Sequence, residues 1–463
     1  MTGRIVLTAA EMRAAEEAAI TAGTPVGTLM ERAGIGAAEA IWRYAGPAPA
    51  LVLCGPGNNG GDGYVVAREL AARGVPVRVA ATGEPKSDAA RAARASWDGP
   101  VEDIADTRSA PLLIDALFGT GLGRPLDSAL SERVCDLAGK ARIRAAIDLP
   151  SGVATDDGAI LSPVPDFDLT VTFQTLKPSH LLQPAARHMG RIVVADIGIA
   201  AESRLSEIVR PHLETPGPDA NKFSRGLVTV IAGGMAGASA LAAAAAMKAG
   251  AGAVRLQART FVAGVPAAII QTPGDPLARL DDSRIGALLL GPGMIADAEG
   301  RELLEAVLAS GHPLVLDAGA LRLVAERGAG DLKDLDRAAI LTPHEGEFGD
   351  LFPDGAGGSK VERARAAASA SGAVIVYKGP DTVIAAPDGR AAILAVGAHW
   401  LASAGTGDVL AGTIAACRAA GRDAFEAACA GVWLHARAAE LAGPALIADD
   451  LVTHLPAALI DCL

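Results

Sequence analysis

Aromatic side chains are scarce in this chain, at 3% of 463 residues, with 3 Tyr, 4 Trp and 8 Phe. A sequence this poor in rings, and rich in Ala and Gly (54 residues), suits α/β layers with close helix–sheet packing rather than a β-sandwich. Positive charge is also short. The net charge of −12 argues against non-specific binding to nucleic acid or to an anionic membrane. An anionic small substrate would then rely on local donors. The 5 cysteines (Cys54, Cys135, Cys417, Cys429, Cys462) are odd in number, widely spaced and lack any C-x-x-C. They read as small buried hydrophobes in a reducing, cytoplasmic compartment. No apolar signal-peptide core follows the early charges of MTGRIVLTAAEMRAAEE. Residues 226–247 carry no charge, yet few of them are large and apolar. They read as a strand, a glycine turn and a buried Ala-rich helix, not as a membrane span.

What is present is alternation. A capping box, Thr8 to Glu11, opens one helix, and a second covers about 26–44. Strands are expected at 51–54, 75–81, 112–115, 145–148, 169–173 and 192–194, with a helix at 64–73. The apolar rhythm weakens near 200–221, where Pro211, Pro216 and Pro218 gather. A second series follows, at 227–232, 253–257, 267–271, 287–290, 314–317, 339–342 and 373–378. A hairpin then turns at 387–390, and three helices fill 408–463. The fold class is α/β: two doubly wound domains, 1–210 and 222–463, joined by a linker at 211–221.

Chemistry concentrates where strands end. Ser403-Ala404-Gly405-Thr406-Gly407-Asp408 leads into a long apolar helix, so free backbone N–H groups converge on an anion site. Asp408 beside it is placed to take a proton from a substrate hydroxyl, the kit for phosphoryl transfer to an alcohol. Four companions stand at other strand ends: Gly233 to Ala238, Gly291-Pro292-Gly293, Thr342-Pro343-His344-Glu345-Gly346-Glu347 and Lys378-Gly379-Pro380-Asp381-Thr382. His344, beside two glutamates, reads as a ligand contact. The other histidines, His180 and His435 among them, read as structural. In the first half, Gly55 to Gly63 forms a glycine-rich loop after a strand, matching neither G-x-G-x-x-G nor the Walker P-loop. The loops after 112–115 and 145–148 would meet it at the carboxyl edge of a parallel sheet. Together they bring Asn59, Asp115, Asp148 and Ser151, oxygen donors that suit a hard cation.

NNGGDG, DALFGTGLGR and DLPSG, with Lys177-Pro178 further on, resemble the NAD(P)H-hydrate epimerase domain over about residues 1–205. The resemblance implies a Rossmann-like domain with hydrated dinucleotide lined by Asn58, Asn59, Gly60, Gly61, Asp62, Asp148 and the loop Gly119, Thr120, Gly121, Leu122, Gly123, Arg124, Pro125. It also implies a potassium ion on Asn59, Asp115 and Ser151. The R and S forms of NADHX and NADPHX would interconvert, with Asp148 the first choice and Lys177 the second for the proton. TPHEGE, KGPDT and AGTGD resemble the ADP/ATP-dependent NAD(P)H-hydrate dehydratase, a ribokinase-like branch, over about 220–463. That implies Ala238, Gly293, His344 and Asp408 at the hydrated nucleotide. Lys378, Gly379, Pro380, Asp381, Thr382 and Gly407 would hold the nucleotide donor, with magnesium on its phosphates. Fused chains of this kind resemble repair enzymes that consume ADP, or ATP, and release AMP and phosphate from ADP. Two positions depart from the pattern. The Gly233 to Ala238 loop is short, and Gly319 stands where a second aspartate is common. The alternative is a ribokinase-like small-molecule kinase with a nucleotide-sensing first domain. Expected partners are small molecules, with a homo-oligomer built on exposed sheet edges, and neither nucleic acid nor membrane.

Overall fold

The computed structural model describes every residue except 1, 2, 336, 337, 354, 356, 396 and 398. The chain forms two compact units: Arg4–Leu205, and Ser206–Leu463 together with Gly3. Ile208 and Leu213 lie in the core of the second unit, and the Leu213 N–H donates to the Cys462 carbonyl at 2.9 Å. The chain therefore passes between units ahead of the expected linker at 211–221.

The first unit opens with α1 (Ala9–Thr21) and α2 (Val26–Ala45). Thr8 caps α1 in the capping box read from the sequence: its hydroxyl accepts from the Glu11 N–H, and the Glu11 carboxylate accepts from the Thr8 N–H at 2.8 Å. Then come β1 (Ala50–Cys54), α3 (Asn58–Ala72), β2 (Val77–Ala81), α4 (Asp88–Ala95) and β3 (Val101–Asp103). β4 (Leu112–Ala116), α5 (Ser128–Lys140), β5 (Ile143–Ile147), β6 (Leu169–Phe173) and β7 (Arg191–Ala195) complete it. The sheet is parallel, in the order β3-β2-β1-β4-β5-β6-β7. Both faces are covered, as a period of two requires. In β1, Ala50, Val52 and Cys54 join a core with α2 and α3, while Leu51 and Leu53 join another with Val134 and Leu137 of α5. The order reverses between β2 and β4 around β1, which opens a crevice at the carboxyl ends of β1 and β4.

One expectation is corrected here. The stretch Asn58 to Gly63 is not loop; it is the first turns of α3. Glycine is needed there because α3 lies almost on the sheet. A Cβ on Gly60 would stand 1.8 Å from the Gly55 carbonyl oxygen, and one on Gly63 would stand 2.6 Å from the Ala116 Cβ.

A short strand, β8 (Leu205–Glu207), carries the chain onward. The second unit continues with β9 (Leu227–Ile231), α6 (Ala236–Lys248), β10 (Ala253–Ala258), β11 (Ile270–Pro273) and β12 (Ile285–Leu290). Next are α7 (Ala298–Ala309), β13 (Leu314–Leu316), α8 (Gly319–Arg327), β14 (Ile340–Leu341), α9 (Glu345–Leu351) and α10 (Lys360–Ser371). The remainder is β15 (Val374–Tyr377), β16 (Thr382–Ala385), β17 (Ala391–Leu394), α11 (Thr406–Ala419), α12 (Ala424–Ala442) and α13 (Ala448–Ile460). The sheet order is β11-β10-β9-β12-β13-β14-β15-β16-β17-β8, parallel from β11 to β15 and antiparallel through the expected hairpin of β16 and β17. The strand expected at 267–271 lies slightly later, as β11. The uncharged stretch 226–247 is strand, turn and helix, with Ala242, Ala243, Ala245 and Ala246 of α6 buried against α11. The approach is close: a Cβ on Gly412 would meet the Ala242 carbonyl oxygen at 2.1 Å. Among the described residues no helix is long and apolar enough to cross a membrane.

Candidate active sites

In the first unit a cavity of about 640 Å³ occupies the crevice at β1 and β4. Asn58, Asn59 and Asp62 reach it from α3, Gly119 to Arg124 from the loop after β4, and Asp148 from the end of β5. Three expected residues do not line it: Gly60, Gly61 and Pro125. Gly60 packs on the Gly55 carbonyl, and a Cβ on Gly61 would run into the Met30 side chain at 2.6 Å. Their identity serves the seating of α3. The sequence reading missed a wall of α1, where Met12, Arg13, Glu16 and Ile20 face the cavity. The spacing of Met12, Glu16 and Ile20 at successive helical turns was the available signal.

Asp148 is the fixed centre of this cavity. It is buried and sits at φ 64, a left-handed conformation that aspartate tolerates better than most residues. Its Oδ2 accepts from the Thr120 N–H at 2.7 Å and from the Thr120 hydroxyl. Its Oδ1 accepts from the Thr172 hydroxyl at 3.0 Å and lies 2.9 Å from Lys177 Nζ. Burial works against the charge, but Lys177 and the Thr120 hydrogen bonds outweigh it and hold the carboxyl far below the usual range. His180 locks the turn, with Nδ1 accepting from the Lys177 N–H at 2.9 Å and Nε2 donating to the Asp148 carbonyl at 3.0 Å. The two neighbouring carboxyls go the other way. Burial first, then the charge of Asp148, raises Asp62 well above its ordinary value, and the same pair of causes raises Glu16. One cavity thus holds an aspartate whose pKa is held down beside two acids whose pKa values are raised.

Beneath the cavity, Asp115 is wholly buried. Its Oδ1 accepts from the Ser151 hydroxyl at 2.7 Å and the Leu117 N–H at 3.1 Å, and its Oδ2 accepts from the Ser151 N–H at 2.8 Å. Burial is the largest influence and raises its pKa on balance, against the hydrogen bonds from Ser151 and Leu117. The Asn59 amide lies between the Ile147 carbonyl and the Gly119 N–H, each at 3.3 Å.

In the second unit, loops from five strand ends gather at the carboxyl edge. Gly233 and Gly293 let the loops after β9 and β12 touch: a Cβ on Gly233 would stand 2.4 Å from the Gly293 carbonyl. Ala238 adjoins Gly293, whose hypothetical Cβ would lie 3.2 Å from the Ala238 Cβ. His344 caps α9, its Nδ1 accepting from the N–H groups of Gly346 and Glu347 at 3.0 and 3.2 Å, and its side chain is largely exposed. Lys378 Nζ donates to buried Asp317 at 3.0 Å and lies 3.8 Å from Glu347. Thr342 donates to the same Asp317 oxygen at 2.7 Å. Asp408 lies in the first turn of α11, half-buried. Burial and the Asp317 charge push it up to about 6, against the pull of Lys378.

Lys378, Gly379, Pro380, Thr382 and Gly407 line one side of a cavity of about 390 Å³. Its other walls are mostly aliphatic, from Leu401, Leu410 and Val432, with His399, Thr406 and His435 among them. Asp381, expected at the nucleotide, turns away and pairs with Lys360 Nζ at 2.8 Å, which ties down the loop. The aliphatic walls come from helices whose apolar residues look like ordinary core in sequence, so nothing local marked them.

Residues 228–460 match the family profile described as NAD(P)H-hydrate dehydratase, and 26–179 match that of the YjeF-related protein N-terminus. The bifunctional NAD(P)H-hydrate repair enzyme of Salinibacter ruber is 34% identical, over 97% of this chain and 95% of its own. That of Escherichia coli is 32% identical, over 96% and 91%. A crystal structure of the ADP/ATP-dependent NAD(P)H-hydrate dehydratase from Bacillus subtilis, with ATP and magnesium, is 28% identical over 54% of this chain and 95% of that one, with a TM-score of 0.48. Related to such proteins from end to end, this chain belongs to the family of bifunctional NAD(P)H-hydrate repair enzymes.

Proposed function

We propose that the chain repairs hydrated nicotinamide dinucleotides by two reactions, one in each unit. The first unit interconverts the R and S forms of NADHX and NADPHX. The second converts the S form to NADH or NADPH, with ADP, or ATP in its place, as phosphoryl donor. The observation that carries this reading is Asp408, a carboxyl tuned to about 6 at the N-terminus of α11, beside Lys378 and a nucleotide-sized cavity.

In the dehydratase unit Asp408 takes the proton of the ring hydroxyl. The hydroxyl oxygen bonds to the terminal phosphorus of the donor, and the bond from that phosphorus to the bridging oxygen breaks. The N–H groups at the start of α11 and Lys378 stabilise the charge on the moving phosphoryl group. The carbon–oxygen bond then breaks, phosphate leaves, and loss of the neighbouring ring proton restores the double bond. With ADP the by-products are AMP and phosphate. Among the described residues no group of three or more His, Cys, Asp or Glu side chains forms a metal cage. Magnesium would accordingly rest mainly on the nucleotide phosphates and supply charge neutralisation there.

In the epimerase unit Asp148 is assigned the proton transfer at the hydroxylated carbon, with Lys177 holding it ionised and Thr120 holding its direction. Potassium fits the layer below. Asp115 is a buried carboxyl held by Ser151, and the Ser151 hydroxyl and the Asn59 amide would add neutral oxygen donors. The ion would favour the ionised form of Asp115 and brace the loops under the cavity.

The test follows reduced-nicotinamide absorbance as purified protein acts on mixed R and S NADHX with magnesium and ADP or ATP. Full recovery of NADH by wild type, and none by Asp408→Asn, is expected. Accumulation of a stable phosphorylated alcohol without NADH would instead identify a kinase.

A further inference from the structure

His435 stands on α12, 8% exposed, with its ring in the wall of the cavity that also holds Lys378 and Gly407. Its Nε2 lies 2.9 Å from the Thr406 carbonyl oxygen. A carbonyl only accepts, so Nε2 carries the hydrogen. Burial, the largest influence, pushes the imidazolium down to about 4, so the ring is neutral near pH 7. A neutral ring with hydrogen on Nε2 has a bare lone pair on Nδ1. Among the described residues no hydrogen-bond donor is paired with Nδ1. Because His435 lines the cavity, Nδ1 is the ring nitrogen left to meet a ligand there. The wall also holds aliphatic Leu401, Leu410, Val432 and Ala436, with Thr382, His399 and Thr406 as further polar side chains. An acceptor held rigidly in a largely aliphatic pocket can read one donor group of a ligand.

We infer that His435 reads the nucleoside half of the phosphoryl donor, its Nδ1 accepting a hydrogen bond from the amine of the adenine base or from the 2′-hydroxyl of the ribose. This rests on the nucleotide reading of the cavity given above. A ligand without that donor would leave Nδ1 buried and unpaired, which costs more than the hydrogen bond itself contributes. His435 is also a positioning residue. Through the Thr406 carbonyl it fixes the turn that presents Gly407 and Asp408.

The experiment is calorimetric titration of the full chain, with magnesium, against ADP, inosine diphosphate and 2′-deoxy-ADP. Inosine diphosphate replaces the base amine with a carbonyl oxygen, and deoxy-ADP lacks one ribose hydroxyl. Wild type should bind one analogue about tenfold or more weakly than ADP, a difference of about 1.4 kcal/mol. Weak inosine diphosphate assigns the base, and weak deoxy-ADP the ribose. In His435→Phe, and in the smaller His435→Leu, that preference should fall to near unity. A merely structural role would weaken all three nucleotides together and leave the ratio unchanged, which overturns the inference. Equal binding of all three by wild type overturns it as well, and does not depend on any variant folding. No binding of ADP at all would overturn the nucleotide-site reading too. Because binding is measured rather than turnover, a failed dehydratase reaction leaves the ratio interpretable.

Discussion

Asp148 and Asp408 are the same residue type in opposite surroundings. Lys177 and Thr120 keep Asp148 ionised, while Asp317 and burial hold Asp408 near 6. Asp408 must be ionised to accept a proton, so kcat/KM of the dehydratase should fall about tenfold per pH unit below 6. Asp317 is a like charge that opposes ionisation. Its replacement in Asp317→Asn lowers the Asp408 pKa, and the acid limb of the pH–rate profile should move to lower pH. An unmoved limb would mean that Asp408 is not the titrating base. Asp148 bears on stability as well. Lys177 and Asp148 side chains are 1% and 9% exposed, so Lys177→Met strands a buried carboxylate. Loss of about 3–5 kcal/mol is expected, read as a lower urea midpoint of the first unit. Both aspartates could be picked out in sequence because they end apolar strands or start an apolar helix. Their opposite tuning could not be, since Lys177, Thr172 and Asp317 come from elsewhere in the chain.

At the scale of elements, glycine-rich sequence before a helix is ambiguous. NNGGDG reads as a phosphate loop, yet here it is helix, because Gly60 and Gly63 answer to steric contacts with Gly55 and Ala116 that no local pattern displays. The difference is measurable. Gly60→Ala drives a methyl into backbone and should destabilise the first unit by about 3 kcal/mol or more. Gly57→Ala meets nothing within 4 Å at φ −96, and should stay within about 0.5 kcal/mol of wild type. Equal thermal midpoints for the two variants would refute the packing argument. Strands were easier to read than their partners. Apolar runs such as 51–54 and 287–290 are continuous because both faces are buried. β3, with two acids in three residues, carried no such signal.

For the whole molecule, each cavity is built from residues of its own unit. The first draws on positions between Met12 and Lys177, the second on positions between Lys378 and Ala436. Each unit has its own sheet and core. Changes in one should therefore act independently of the other. Asp148→Ala should still convert S-NADHX to NADH at the wild-type rate while leaving R-NADHX unconsumed. Asp408→Asn should bring pure R or pure S to the same R:S ratio without forming NADH. Chromatography of the two forms beside reduced-nicotinamide absorbance reads both outcomes in one reaction. Mixing the two variants should restore full recovery of NADH, because the S form released by one chain is substrate for the other. Failure of the mixture, with each variant retaining its own activity, would mean that the substrate does not leave one site before reaching the next.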